Sequence, residues 1–243
     1  MVESTFNEKF WQANAGAWDE AMGEGSLFQK AIIEPSTLNF LAIKPGMKIL
    51  DVACGNGQMS RVLAALGASV TAIDGAEAMI ELAKSRSEQF DIAYHVINVA
   101  QENELQFLQD REFDVILCNM ALMDIADIKP LFKFIPHLLK EKGTFVFSIT
   151  HPCFDKAVGP HITEIHENEG TLITKHAIKV SQYLTSSAMK AKAIPILPHV
   201  HYFFHRSLTF YLEAAFAQGL VLCGLVEPAF PKNPDFTEHK GWH

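Results

Sequence analysis

The stretch "ILDVACGNG" (residues 49–57) decides the fold, because it runs from an apolar strand directly into two glycines. Its apolar residues are interrupted by Asp51 and are typical of a buried strand. Gly55 and Gly57 let the backbone turn sharply and let a ligand approach it closely. A helix that begins behind such a turn offers its first amides to the same ligand. The stretch therefore predicts a strand, a binding turn and a helix of an α/β sheet.

Four further β-rich runs follow the first, and they alternate with amphipathic helical runs. The five strands are predicted at 47–53, 69–74, 92–98, 114–121 and 143–149. Helices are predicted from "QMSRVLAALG", "AEAMIELAKSR" and "IKPLFKFIPHLLKEKG", with Gly67 and Gly143 as stops of the first and third. This series predicts a Rossmann-like, doubly wound, mainly parallel sheet with helices on both faces.

The flanking segments are predicted to complete a single domain. Its parts are a helical lid (1–45), the core (46–150), a cap inserted after the fifth strand (151–206) and a C-terminal helix and strand (207–243). The lid contains two or more helices, the last opened by Pro35. The cap contains two β-like runs, "TLITKHAIKVSQYL" and "HVHYFF". The last part contains the helix "SLTFYLEAAFAQGL" and a sixth strand, "VLCGLVEP", after which no strand is expected.

Composition restricts the partners and the location. With 28 acidic and 20 basic residues the chain has a formal charge of −8, which does not attract nucleic acid. The start lacks the basic and apolar regions of a signal peptide, and no window reaches the roughly 18 apolar residues of a membrane span. Four cysteines without a CxxC pair are expected to be reduced thiols. We therefore expect a cytoplasmic protein with no nucleic-acid or membrane partner.

Two carboxylates distinguish between the ligands that a glycine turn can bind. Asp51 faces the same pocket as the turn, where it would repel a pyrophosphate and favour a cation. Asp74 closes the second strand, where a carboxylate can bind both ribose hydroxyls or cap the next helix. Ser60 stands where a dinucleotide fingerprint needs a third Gly or Ala. The pattern favours a zwitterionic or sulfonium-bearing nucleoside without phosphates, and a turn with no ligand is the alternative.

Several motifs together carry a family resemblance. "LDVACGNG", "VTAIDGAEAMIELA", "FDVILCNMALMDI" and "LLKEKGTFVFSI" resemble class I S-adenosylmethionine-dependent methyltransferases of the small-molecule branch, over at least residues 47–150. "THPCF", and "HRSLTFYLEAAFAQGL" followed by "EP", are similar to an uncharacterised bacterial subgroup of these proteins. "WQANAGAWDE" is similar to the aromatic helix that closes over the cofactor in many members. The resemblance implies methyl transfer from S-adenosyl-L-methionine to an O, N or C nucleophile of a small molecule, leaving S-adenosyl-L-homocysteine.

The same resemblance implies which positions contact the cofactor. They are Asp51, Ala53, Gly55 and Gly57 at the methionine and sugar, Asp74 at the ribose, Gly75, Met79, Asn98 and Val99 at the adenine, Asn119, Met120 and Ala121 near the sulfonium, and Trp18 in the lid. Trp11 and Trp18 are also spaced to pack into the core. Ala53 replaces a glycine of the family motif, and Asn98 replaces an Asp. The final strand of the family's antiparallel hairpin is not found.

Two residues are candidates for catalysis. His151 follows the fifth strand and is placed to take a proton from a hydroxyl or protonated amine, or else to cap a loop before Pro152. Asp124 follows the fourth strand and is the second candidate. Two other functions stay open: a non-catalytic S-adenosylmethionine-binding sensor or assembly subunit, and a nucleotide-dependent oxidoreductase.

The cap adds a histidine cluster and an arginine. His199, His201 and His205 alternate on one face of a predicted strand, but no carboxylate or Cys completes a metal set. No metal is therefore expected. Arg206 is expected either to clamp a substrate carboxylate or to pair with an acid of the cap.

Overall fold

A computed structural model describes residues 6–154 and 159–230, and its centre is a parallel sheet. The strands are β1 (Lys48–Val52), β2 (Ser69–Asp74), β3 (Ile92–Val96), β4 (Phe113–Asn119) and β5 (Leu139–Ser148). Their order is β3-β2-β1-β4-β5, and every neighbouring pair is parallel. The chain reverses direction across the sheet between β1 and β4, so a ligand crevice is expected at the carboxyl ends of these strands. The predicted doubly wound parallel sheet is confirmed.

Helices cover both faces of this sheet. They are α3 (Gln58–Ala65), α4 (Glu77–Arg86), the short α5 (Glu102–Leu105) and α6 (Lys129–Leu138). Because successive side chains of a strand point to opposite faces, Ile49 joins the cluster of α3 and α4, whereas Leu50 joins that of α5 and α6. The core is thus divided into two layers by the sheet.

The junction of α6 and β5 differs from the sequence prediction, which continued the helix to Gly143. The helix ends at Leu138, and Leu139 already pairs with Phe113 of β4. Lys140 forms an ion pair with Asp114, with 2.8 Å between Nζ and Oδ1. Pairing with β4 therefore overrides the helical spacing of this segment.

The cap contains two antiparallel hairpins. The first joins β6 (His161–Asn168) to β7 (Thr171–Ile178), and the second joins β8 (Ser187–Ala191) to β9 (His201–His205). β7 lies within the first predicted β-like run and β9 overlaps the second, whereas β6 and β8 were missed. Most of the described side chains of the first hairpin are exposed on both faces, so its sequence lacks the alternation that marks a half-buried strand.

Two helices precede the sheet, as predicted for the lid. They are α1 (Phe6–Met22) and α2 (Glu34–Leu41), and a π-helical turn (Gln29–Ile33) precedes the second. Pro35 lies in the first turn of α2, as expected. α1 packs against α4 on one side and β9 on the other, so it connects the core to the cap.

The C-terminal part contains α7 (Leu208–Phe216) but no strand within its described residues. The predicted sixth strand, "VLCGLVEP", is wrong, because residues 220–230 have no regular structure. Val221 is 78% exposed and Leu225 is 62% exposed, so this segment lacks the neighbour that a strand needs for its backbone hydrogen bonds. In the described parts of the chain, no helix combines the length and apolar character needed to cross a membrane.

Candidate active site

The turn after β1 is built from left-handed backbone. Ala53, Gly55 and Gly57 have φ values of 54°, 55° and 76°. A Cβ at Gly57 would lie 2.4 Å from Tyr94 Oη, so this glycine serves the packing behind the turn. A Cβ at Gly55 would meet nothing within 4 Å, which places this glycine beside open space. The two glycines of the opening stretch thus have different structural roles.

Asp74, at the end of β2, holds this turn from the neighbouring strand. Its Oδ2 accepts a hydrogen bond from Gly55 N at 2.9 Å, and its Oδ1 accepts one from Ala76 N at 2.9 Å. Burial raises the pKa of Asp74, although the two amides act against this rise. Each carboxylate oxygen has a second lone pair, so both remain able to accept a hydroxyl from a ligand.

Asp51, near the end of β1, is 2% exposed and its carboxyl has a perturbed pKa. Burial and the neighbouring Asp74 raise its pKa to about 7, although a hydrogen bond from Ser60 Oγ at 2.5 Å lowers it. Ser60 was singled out in the sequence only as a departure from the dinucleotide fingerprint. A buried carboxylate of this kind favours a cation beside it.

The carboxyl end of β3 places Asn98 and Val99 in the same crevice. Asn98 Oδ1 already accepts a hydrogen bond from Ala100 N at 2.8 Å, which orients the side chain. From α1, Glu8 reaches over Gly75, where a Cβ would lie 3.1 Å from Glu8 Cγ. Burial raises the pKa of Glu8 to about 7, and Glu104 and Asp74 contribute.

Sequence reasoning missed Glu8. The available signal was the spacing of Glu8, Trp11, Ala15 and Trp18, which places all four on one face of a helix. Trp11 and Trp18 form an edge-on pair with ring centroids 5.2 Å apart, and they pack beside Met79. Both tryptophans line the cavity as well as packing against core residues.

The end of β4 forms the opposite wall. Asn119 Oδ1 accepts hydrogen bonds from Thr37 at 3.2 Å and from Ser148 at 3.0 Å. Met120 has a φ of 51°, and its amide donates to Ser148 O at 2.9 Å. Contacts with β5 and α2 therefore fix this wall before any ligand binds.

Three histidines at or near the outer wall, of which His151 and His201 line the cavity, have partners that the sequence did not reveal. His151 donates or accepts at both ring nitrogens: Nε2 lies 2.8 Å from Glu227 Oε1, and Nδ1 accepts from Cys153 N at 3.1 Å. His201 Nε2 lies 3.3 Å from Asp124 Oδ1. His205 Nε2 lies 2.9 Å from Tyr183 O, so these histidines turn to different partners.

Arg206 follows neither of its two expected roles. It is buried and donates to the carbonyl oxygens of Leu122, Ile125 and Ala126 at 2.7 to 2.9 Å. These bonds fix the loop that carries Asp124. Among the described residues, no group of three or more His, Cys, Asp or Glu side chains is arranged to hold a metal ion.

These walls enclose one large cavity of about 1530 Å³. Fourteen of the fifteen predicted positions line it, namely Trp18, Asp51, Ala53, Gly55, Asp74, Gly75, Met79, Asn98, Val99, Asn119, Met120, Ala121, Asp124 and His151. The exception is Gly57, which packs against Tyr94. Ligand pockets usually measure about 300–1,000 Å³, so this space is large enough for two molecules side by side.

Comparison with known proteins defines the class. Residues 43–195 match the family model described as a methyltransferase domain, and the chain therefore belongs to this methyltransferase family. An S-adenosylmethionine-dependent methyltransferase from Mesorhizobium loti superposes with a TM-score of 0.58 at 24% identity, covering 76% of this chain and 80% of that protein. This likeness concerns the fold.

Curated relatives match over part of their length. "Uncharacterized methyltransferase YbaJ" of Bacillus subtilis is 31% identical over 136 residues, which cover 55% of this chain and 50% of that protein. A "Ubiquinone biosynthesis O-methyltransferase" of Actinobacillus pleuropneumoniae is 30% identical over 157 residues, covering 60% and 64%. The chain thus spans about half to two thirds of the relatives it matches.

Proposed function

We propose that this chain binds S-adenosyl-L-methionine and transfers its methyl group to an O, N or C nucleophile of a small molecule. The observation that carries the proposal is the pair of buried carboxylates, Asp51 and Asp74, beside a left-handed turn that faces the cavity. Within the described part of the chain, neither carboxylate forms an ion pair. Their charge therefore fits a cationic ligand such as a sulfonium compound.

Different residues would bind different parts of the cofactor. Asp74 would accept the ribose hydroxyls, Asp51 would attract the cationic methionine part, and Asn98 and Val99 would meet the adenine. Trp18, which lines the cavity, would cover the adenine and exclude water from it. When bound, S-adenosylmethionine supplies a methyl group that is already electrophilic, so the protein has to align the acceptor and exclude water.

The two alternative functions make different demands on this site. A nicotinamide dinucleotide would bring its pyrophosphate to the glycine turn beside Asp51, which disfavours an oxidoreductase. A binding-only sensor needs no second ligand, whereas this cavity exceeds the usual size of a single-ligand pocket. The name of the ubiquinone biosynthesis relative supports a small acceptor for this chain. The four cysteines are free thiols, which is consistent with the cytoplasmic location we propose.

Calorimetry on Asp74→Ala tests the proposed cofactor site. Loss of hydrogen bonds to a charged acceptor should weaken S-adenosylmethionine binding by about 2–4 kcal/mol, or roughly 30- to 1000-fold. Asp110→Ala removes an exposed carboxylate and should leave the affinity unchanged. Tight NAD binding by the unaltered protein, with no response to S-adenosylmethionine or S-adenosylhomocysteine, would contradict the proposal.

A further inference from the structure

The cavity wall opposite the nucleoside-binding side contains a carboxylate–histidine pair. Asp124 lies in a 3₁₀ turn (Leu122–Asp124) just after β4, lines the cavity, and has a side chain that is 17% exposed. His201 of β9 stands behind it, 1% exposed, with Nε2 3.3 Å from Asp124 Oδ1. Asp124 is therefore the member that a second ligand can reach.

The pair is fixed from several directions. Asn7 of α1 donates to Asp124 O and also pairs with the backbone of Tyr202, next to His201. The Trp11 ring lies 4.8 Å from the His201 ring. Arg206 holds the carbonyls on both sides of Asp124. Such support is what a group needs in order to keep one orientation toward a ligand.

The unused nitrogen of His201 distinguishes it from His151. Of the buried side-chain atoms in the described residues, His201 Nδ1 is one of three without a hydrogen-bond partner. Both nitrogens of His151 are engaged, by Cys153 and Glu227. His201 can thus donate through Nε2 to Asp124, because no acceptor near Nδ1 holds the ring proton on that other nitrogen. Asp124 remains the acceptor on the cavity side.

The charges around the cavity favour one kind of acceptor. In the parts of the chain that the structure describes, its lining has six carboxylates, one lysine and no arginine. The carboxylates are Glu8, Glu34, Asp51, Asp74, Asp124 and Glu227, and the lysine is Lys192. The nearby Arg206 already donates its hydrogen bonds to backbone carbonyls. A carboxylate or phosphate on the acceptor would have little to pair with here, whereas an ammonium would be attracted.

We propose that the acceptor is an amine with an apolar body, and that Asp124, positioned by His201, binds its ammonium and takes a proton from it. This inference rests on the proposed function. In the step, one N–H bond breaks, its electron pair stays on nitrogen, and the proton forms an O–H bond at the carboxylate oxygen of Asp124. The nitrogen then has the lone pair that a nucleophile requires.

Asp124 touches the acceptor, whereas His201 acts through Asp124 and is a positioning residue. The charged groups on the surrounding elements include Glu8 and Lys9 of α1, Lys190 of β8 and Arg206. Burial raises the pKa of Asp124, although the contact with His201 acts in the opposite direction. A carboxyl with a raised pKa is a stronger base than an exposed Asp.

Matched fragments test the inference by binding alone. Phenethylamine, 2-phenylethanol and 3-phenylpropanoate are titrated into protein saturated with S-adenosylhomocysteine, and affinities are read by ligand-observed NMR. The amine should bind at least about 10-fold more tightly than the alcohol, and the acid should bind least. An alcohol or acid that binds as well as the amine, or no amine binding at all, would overturn the inference.

Variants separate the roles within the pair. Asp124→Asn should remove the roughly 10- to 100-fold preference for the amine and leave the affinity for the alcohol unchanged. Asp127→Asn makes the same charge change on the exposed side of the same loop and should keep the preference. His201→Leu should reduce the preference, and His201→Gln, which retains a donor toward Asp124, should restore much of it.

Saturation with S-adenosylhomocysteine is measured in the same titrations. This measurement distinguishes a failure of the proposed function from a failure of the amine inference. If S-adenosylhomocysteine does not bind, the proposed function and the amine inference both fail. If it binds and the fragments show no preference for the amine, or Asp124→Asn keeps that preference, the cofactor assignment stands and the amine inference alone is wrong.

Discussion

Ala53 carries backbone strain at the residue where the site begins. It adopts a φ of 54° at a position where the family motif has glycine. A non-glycine residue in this conformation costs about 1–2 kcal/mol, because Cβ approaches the following carbonyl oxygen. The sequence showed the substitution, but only the backbone angle shows that the alanine is strained.

Ala53→Gly should therefore leave the fold as stable or stabilise it by up to about 1 kcal/mol, after the extra flexibility of glycine in the unfolded chain is subtracted. Urea unfolding measures the change. The control Ala64→Gly lies inside α3 and should instead cost about 0.5–1 kcal/mol. Destabilisation by both glycines to the same extent would argue against strain at Ala53.

Asp51 should lower the stability of the ligand-free protein at alkaline pH. Its pKa rises from 3.8 to about 7 in the fold, so between these values the folded chain binds a proton that the unfolded chain has released. Stability is then lost as the pH rises through this window, by up to about 4 kcal/mol at pH 8. Asp51→Asn should raise Tm at pH 8 and have little effect at pH 4.

Thermal unfolding across this pH range checks the expectation for Asp51→Asn. The same variant should bind S-adenosylmethionine more weakly, because the amide lacks the charge that attracts a cation. A variant that gains no stability at pH 8 would show that ionised Asp51 does not destabilise the folded chain. Such an exchange of stability for binding is common at functional sites.

At the scale of elements, two asparagines connect α1 to β9 and to the residues just before it. The Asn14 side chain donates to His199 O at 2.9 Å and accepts from His199 N at 3.0 Å, and it is fully buried. Asn7 makes an equivalent pair with Tyr202. Each asparagine thus pairs with the backbone N–H and C=O of one cap residue, as a neighbouring strand would.

Asn14→Leu should loosen α1 from the cap, because it removes the two hydrogen bonds between the buried Asn14 side chain and the backbone of His199, at about 0.5–1.5 kcal/mol each. Hydrogen exchange should accelerate in 6–22 and 199–205 more than in β1. Gln12→Leu is the matched control on the exposed side of α1. It removes a single exposed hydrogen bond, from Ala78 N at 2.9 Å, and should change exchange far less. Uniformly faster exchange across the sheet would indicate global destabilisation instead.

The strands show how much of the fold the hydrophobic pattern of the sequence predicts. The five strands of the sheet were predicted within a few residues, because buried parallel strands appear as short apolar runs between helices. β6 and β8 were missed, since neither buries one regular face. The segment at 220–228 has strand-like composition but no partner in the described residues, and composition does not supply a partner.

At the scale of the whole molecule, the cavity is lined by charged residues from distant segments of the chain. Asp51 and Glu8 both have a pKa raised to about 7 and both line it. A cationic ligand binds the ionised carboxylates better than the protonated ones. Its affinity should therefore rise as the pH increases through about 7.

Calorimetry of S-adenosylmethionine binding at several pH values tests this coupling. For one linked carboxyl the affinity should be about 10-fold weaker at pH 6 than at pH 8, and binding should release protons at pH 7. Adenosine, which has no charge, is the control ligand and should show a smaller dependence. An affinity for S-adenosylmethionine that is constant from pH 6 to pH 8 would contradict a role of these carboxyls in cation binding.

The amino-acid sequence by itself determined the sheet, the turn after β1 and the positions of Asp51 and Asp74 at the ends of their strands. These features follow from local periodicity and from the rule that parallel strands end at a common edge. The cofactor roles assigned to the predicted positions, and the division into lid and cap, stay predictions.

Only the tertiary structure decided which side chains meet across the cavity. Glu8 over Gly75, Asp124 beside His201 and Arg206 on three carbonyls join segments that are far apart in the chain. Asn7 and Tyr202 are 195 positions apart. Local patterns specify which face of an element is buried, but the partner of a buried polar group depends on how the elements pack, and so it becomes visible only in the folded chain.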